Sequence, residues 1–241
     1  MTAGDDTLHR LLDHPPLLHV NEAGELTNFQ IDPKLVPYLR DAAPPGTRSM
    51  ETGAGLSTIV MLLLGARHTS ISPDAGEGDR IREYCDGHGI EHDAYTHVVG
   101  ASEDVLPTLT VPADLDLIIV DGNHAFPAPF IDWFYMTRHL RTGGVLVVDD
   151  VELWTGRVLA DFLDGEKGIW EQVTRTPRFA VYRLEADRTL ALTRGWQFQP
   201  HVRDNSDMSV FNPATERSVS RSQLATRASR IVRRTWWKLQ N

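Results

Sequence analysis

Between residues 48 and 148 the apolar and polar positions follow two rhythms. Short runs suited to strands occur at Arg48–Thr52, His68–Ser72, Tyr95–Val99, Leu115–Val120 and Val145–Val148. Between them, apolar residues recur at helical spacing over Leu56–Gly65, Gly78–Gly87 and Ile131–Leu140, with a shorter helical stretch at Glu103–Leu109. Strand, helix and strand at this pitch predict βαβ units, and hence a parallel sheet with helices on both faces. The uninterrupted apolar runs LDLIIV (115–120) and VLVV (145–148) read as central strands buried on both sides. A further helix over Trp154–Leu163 leads to two β runs within residues 170–185, turning at Arg175-Thr176-Pro177-Arg178, which close the sheet as a hairpin. The expected fold is therefore α/β: a doubly wound, mostly parallel seven-stranded sheet. It occupies residues 46–185, after an N-terminal segment (1–45) with a helix over Asp32–Asp41. It is followed by an extension (186–241), weakly patterned as far as residue 216, that ends in an amphipathic helix starting near Ser220.

Composition narrows the class. The chain has 241 residues, enough for one sizeable α/β domain with appendages. One cysteine, Cys85, excludes an internal disulfide and fits a reducing, cytoplasmic setting. The acidic N-terminus has no apolar core, so no signal peptide is expected. The net charge of −9 is unevenly spread: seven basic and no acidic residues follow Glu216, which leaves 17 basic against 33 acidic before it, a body near −16. An acidic body argues against a nucleic-acid partner. The basic helix suits docking on an acidic surface, as in self-association or a homo-oligomer, or else contact with an anionic membrane.

The first strand runs into SMETGAGLST (49–58). Gly53 and Gly55 permit a tight turn and a close ligand approach at a helix N-terminus. A dinucleotide fingerprint would want a third glycine where Thr58 stands, and its diphosphate would be repelled by Glu51. An amine and a sulfonium would be attracted instead, and S-adenosylmethionine carries both. Glu51, Gly53, Gly55 and Ser57 are thus expected to hold that cofactor; the alternative is a glycine turn with a solvated glutamate. Asp74, after the second strand, is a candidate for the ribose hydroxyls, the alternative being a cap on the next helix. Ser102, after the third strand, is a candidate for the adenine amino group.

Asp121 ends the fourth strand, and Asp149-Asp150 end the fifth. In a doubly wound sheet these ends are neighbours, and three converging carboxylates call for a cation. All-oxygen ligands suit Mg2+ or another hard divalent ion. His124, three residues after Asp121, is the candidate general base for an acceptor hydroxyl. His9, His14 and His19 are spaced by five, which fits no helical face, and are not read as metal ligands. Phe126, Pro127, Pro129, Phe130 and Trp154 follow the acidic motifs and are candidates for an acceptor wall.

The order ETGAGLST, LDLIIVDGNHAF and LRTGGVLVVDD resembles the class I S-adenosylmethionine-dependent methyltransferases over roughly residues 30–185. Within them it is similar to the branch with a D-G-x-H motif and a D-D pair, which includes metal-dependent sugar O-methyltransferases of macrolide pathways. The resemblance implies a Rossmann-like methyltransferase fold, with Asp121 beside the cofactor as well as among the metal ligands, and a glycan or glycosylated small molecule as acceptor. The sequence departs from the family at Ser72, where an acidic residue is expected. N-methyl transfer and a non-catalytic binding protein working through the basic tail are the competing readings.

Overall fold

The computed structural model describes residues 3–207 apart from 22 and 112. Of these, residues 3–201 form one compact unit. The expected C-terminal helix lies outside the described residues.

Helix α1 (Ala3–Asp13) and a small hairpin, β1 (His19–Val20) with β2 (Leu26–Thr27), precede a 3-10 turn (Pro33–Leu35) that runs into α2 (Val36–Ala42). The alternating series follows: β3 (Arg48–Thr52), α3 (Leu56–Leu63), β4 (Arg67–Ser72), α4 (Ala75–His88), β5 (Thr96–Val99), α5 (Ser102–Val105), β6 (Leu115–Val120), α6 (Ala128–Thr137), β7 (Leu140–Asp149) and α7 (Trp154–Gly165). The hairpin β8 (Trp170–Arg175) and β9 (Phe179–Leu184) leads to α8 (Arg188–Thr193). The main sheet has seven strands in the order β5-β4-β3-β6-β7-β9-β8. Its first five strands are parallel, and the last two run antiparallel as the closing hairpin.

The period of two along each strand divides the core between the two faces. Leu117, Ile119, Val145 and Val147 pack with Ile59, Met61 and Ile81 of α3 and α4. Ile118, Val120, Leu146 and Val148 pack with Met136 of α6, Leu159 and Leu163 of α7 and Tyr182 of β9. That is why LDLIIV and VLVV are apolar at every position after Asp116.

Several boundaries differ from the sequence reading: α4 starts three residues early, at Ala75, α5 stops at Val105, and two further shifts have plain physical reasons. Helix α6 begins at Ala128, three residues early, because Pro129 suits the first helical turn, where its missing N–H costs nothing. Leu140 leaves that helix and joins β7 opposite Leu115, so β7 runs ten residues through the polar RTGG segment that hid its start. The helix α1 and the hairpin β1–β2 were not anticipated. Among the described residues no helix is long and apolar enough to cross a membrane.

Candidate active site

The chain runs outward through β3, β4 and β5, then returns to place β6 on the other side of β3. Ligands bind at such a switch point, outside the carboxyl ends of the strands. A cleft of about 620 Å³ opens there. Thr52, Gly53, Ala54 and Gly55 form its floor. Ser72, Asp74 and Glu77 form one side, and Asp121, His124, Asp149, Asp150 and Arg178 the other.

Gly53 has a φ of +89°, and a Cβ there would lie 2.3 Å from the Asp121 carbonyl oxygen. Only glycine fits both that conformation and that approach. Gly53 N–H donates to the Ile71 carbonyl at 2.8 Å, which ties the turn to β4. Glycine lets the backbone come close here, as expected.

Glu51 takes a different place from the one its sequence position suggested. It is wholly buried and does not line the cleft. Ser57 Oγ donates to its Oε2 at 2.7 Å, and Thr58 Oγ1 donates to its Oε1. His68 Nε2 lies 3.0 Å from Oε1, off the hydrogen-bonding line. Thr58 Oγ1 also accepts from Gly55 N–H at 3.0 Å. The carboxylate thus organises the glycine turn from beneath. The hydroxyls of Ser57 and Thr58 face it, so Ser57 does not reach the cleft either. This network also explains why Thr58 stands where a nucleotide fingerprint has glycine.

Asp74 lines the cleft, but its carboxylate is occupied. Oδ1 accepts from Gly76 N–H at 2.8 Å as the cap of α4, and Oδ2 pairs with Arg80 at 2.5 Å. Burial works against its ionisation, but the Arg80 and Gly76 hydrogen bonds outweigh this and hold the carboxyl below its usual range. The capping alternative describes Asp74. Ser102 is buried, lines the cleft and starts α5.

The acidic side is crowded. His124 Nε2 lies 3.2 Å from Asp150 Oδ2 and 3.9 Å from Asp121 Oδ1. One ligand atom from each of these three residues falls within a single 4.8 Å cluster. Asp149 is buried, its Oδ1 has no hydrogen-bond partner, and it lines the cleft. Burial, then the neighbouring carboxylates of Asp149, Glu51 and Asp150, push Asp121 well above the usual carboxylate range, against a lowering by Arg178. Burial raises Asp149 to about 7, opposed by a hydrogen bond from the Asp150 backbone and reinforced by the Asp150 charge. Arg178 is the nearby cation, 3.3 Å from Asp150 Oδ1.

Local geometry holds this arrangement. Asp150 sits at φ +50°, a left-handed conformation uncommon outside glycine, which turns its side chain back over the strand end. A Cβ at Gly156 would lie 2.8 Å from the Asp150 carbonyl, so α7 packs tightly beneath the turn. Thr155 Oγ1 donates to the His124 carbonyl and fixes the opposite loop. Phe126 and Trp154, expected in an acceptor wall, are 67% and 57% exposed with tilted rings whose centroids lie 6.0 Å apart, and neither is among the residues that line the cleft. Phe130 lies 6.2 Å from Phe126.

Sequence reasoning missed two residues here, His19 and Glu77. Both line the cleft. His19 arrives on the unanticipated hairpin, and Glu77 stands just before the expected helix start at Gly78, in the first turn that α4 adds.

Residues 50–151 match a family model described as a methyltransferase domain. No curated protein sequence matches the chain. Among solved structures, cofactor-bound Rv0187 from MTB is 20% identical, with a TM-score of 0.55, and the match covers 77% of this chain and 92% of that one. The O-methyltransferase TomG from Streptomyces achromogenes, involved in tomaymycin synthesis and solved with SAM, is 21% identical over 77% and 91%, with a TM-score of 0.52. The SAH-bound methyltransferase PaMTH1 from Podospora anserina is 18% identical over 77% and 89%, with a TM-score of 0.51. Residues 50–151 thus resemble a methyltransferase domain, and the solved neighbours share the Rossmann-like α/β fold.

Proposed function

We propose that the chain is a methyltransferase that uses S-adenosylmethionine to methylate a hydroxyl, assisted by a divalent cation, on a glycan or glycosylated small molecule. The observation that carries the reading is the convergence of Asp121, Asp150 and His124, with the unpartnered Asp149 also lining the cleft, at one wall of a cleft whose floor is the glycine turn. Solved neighbours that hold SAM or SAH, one of them an O-methyltransferase, support the cofactor.

The residues fit both groups. Gly53 and Gly55 leave room for a ligand at the amino end of α3, and Ser102 offers a hydroxyl at the far end of the floor. When bound, the cofactor supplies an electrophilic sulfonium methyl. Asp149 Oδ1, buried and unpartnered, and the raised affinity of Asp121 for a proton mark carboxylates short of a cation. Asp121, Asp149 and Asp150 would hold the metal, which would lower the pKa of an acceptor hydroxyl.

The chain's own part is to orient the hydroxyl and take its proton. His124 Nε2 stands at the cleft wall, 29% exposed, and is the atom that receives it. Asp150 Oδ2, 3.2 Å away, holds the imidazole in place. Phe126 and Trp154, two residues from His124 and one from the Thr155 that holds the His124 carbonyl, would supply an exposed apolar platform for the flat face of a ring-shaped acceptor. A second reading follows from the same distances: His124 itself completes the cation site with Asp121 and Asp150.

Calorimetry of S-adenosylhomocysteine with NAD as control tests the cofactor, and methyl transfer to a panel of sugar hydroxyls tests the reaction. The expected results are binding of the first ligand alone, activity lost on chelation, and a loss of about 10²–10⁴-fold in kcat for His124→Ala. Absence of S-adenosylhomocysteine binding would overturn the reading. Chelator-insensitive transfer to an amine would replace it with N-methylation. A His124→Ala variant that loses metal affinity along with rate would favour the second role.

A further inference from the structure

At the end of β4 a ribose-binding carboxylate is missing from its expected position, since Ser72 stands there and Asp74 is occupied by Arg80 and its own helix cap. Another carboxylate reaches the same place. Glu77, in the first turn of the 14-residue helix α4, is 8% exposed and lines the cleft. Its Oε2 accepts from Ser72 Oγ, and its Oε1 lies 2.8 Å from His19 Nδ1. We propose that Glu77 receives the ribose hydroxyls of the cofactor and that His19 is its positioning residue. This rests on the reading of the cleft as an S-adenosylmethionine site.

The chemistry of the group favours this role. An ionised carboxylate has about four acceptor directions, and Ser72 and His19 take one on each oxygen. One direction on each oxygen remains, and a vicinal diol presents two O–H donors side by side. Ser72 therefore does not leave the subsite empty: its hydroxyl steers a carboxylate arriving from the helix to the point where a strand-end carboxylate would stand.

His19 is held for the same task from the other side. It comes in on β1, and its ring packs on Phe29 with centroids 4.8 Å apart. A Cβ at Gly55 would lie 3.1 Å from its Nε2, so the second glycine of the turn makes room for this ring as well as for a ligand. Val20 and Phe29 line the cleft beside it. The small hairpin thus covers the ribose end and fixes Glu77 through one buried pair, whose side chains are 14% and 10% exposed.

The test is a pair of calorimetric titrations on the full chain, with S-adenosylhomocysteine and with its 2′,3′-dideoxy analogue. For Glu77→Gln, the expected result is about 10–100-fold weaker binding of the first ligand and less than about threefold change for the second. Equal weakening of both would overturn the proposal, since Glu77 would then only brace the fold, and so would no change for either. Glu77→Asp, which keeps the charge but shortens the reach, is expected to fall between Gln and wild type and serves if the Gln variant unfolds. His19→Gln is expected to weaken S-adenosylhomocysteine several-fold alone and to add nothing in the double variant; full additivity would remove its positioning role. If the wild-type chain binds neither ligand, the cofactor reading itself fails and takes this proposal with it.

Discussion

The two walls of the cleft treat their carboxylates in opposite ways. On the β3–β4 side every one is answered from within the chain: Glu51 by Ser57 and Thr58, Asp74 by Arg80 and Gly76, Glu77 by Ser72 and His19. On the β6–β7 side Asp121, Asp149 and Asp150 crowd together, with His124 and Arg178 as their nearby nitrogen partners. The first wall is complete as folded and can be rigid before any ligand arrives. The second is electrostatically incomplete, and a group from outside the chain is what would complete it. Removing a carboxylate should therefore have opposite effects on stability at the two walls.

The largest effect is expected at Glu51. Glu51→Ala would strand two buried hydroxyls and leave the His68 ring without its 3.0 Å neighbour. Unpaired buried polar groups of this kind cost about 1–3 kcal/mol each, so a loss of roughly 3 kcal/mol is expected. In a chain of this size that lowers the melting temperature by about 6–12 °C. A change of less than about 2 °C would show that the network does not hold the turn. Because Glu51 lies beneath the floor, lost cofactor binding in this variant would report a collapsed turn and not a lost contact.

A smaller effect of opposite sign is expected at Asp149. Its folded pKa is raised to about 7 by burial. A raised carboxyl favours the folded state while protonated, so that contribution is present at acid pH and is lost as pH rises through 7. In chelator at pH 8, Asp149→Asn should therefore be more stable than the wild type by roughly 1–3 kcal/mol. The advantage should vanish near pH 4. Adding Mg2+ should raise the wild-type melting temperature and not that of the variant. A variant less stable than wild type in chelator at pH 8 would mean that the crowded wall is balanced by the chain itself.

The contrast between the walls also marks how far the sequence was legible. Strand periodicity placed β3 and β6 to the residue, because a two-sided apolar run and a glycine turn are local signals. Asp121, Asp149 and Asp150 were legible as a group because strand ends are where a doubly wound sheet gathers its ligands. The partners of the other wall were not. Whether Glu51 faces a ligand or two hydroxyls beneath the turn depends on the rotamers of Ser57 and Thr58, and both arrangements share one sequence. Asp74 and Glu77 stand three residues apart, and only the cap geometry and Arg80 decide which of them is occupied. His19 was set aside for lacking a helical face, and it lies on a two-residue strand with too little pattern to detect.

The smallest effect, at Asp132, tests the division from behind the cleft. Asp132 lies on α6, wholly buried, with neither carboxyl oxygen hydrogen-bonded. Burial raises it to about 6, while the hydroxyls of Ser102 and Thr52 nearby draw it down without standing in full hydrogen-bonding geometry. Both hydroxyls belong to cleft residues. The sign is that of Asp149: the stabilising contribution is present below about pH 4 and is lost as pH rises through 6. Asp132→Asn should gain on the order of 1 kcal/mol at pH 8, since the removed ionisation cost is partly returned by an amide that also lacks partners. Unlike Asp149→Asn, this gain should be the same with Mg2+ as with chelator, because Asp149 lines the cleft whereas Asp132 does not. A gain that Mg2+ abolishes would extend the unsatisfied region through Thr52 beneath the floor, and the two walls would then be one electrostatic unit.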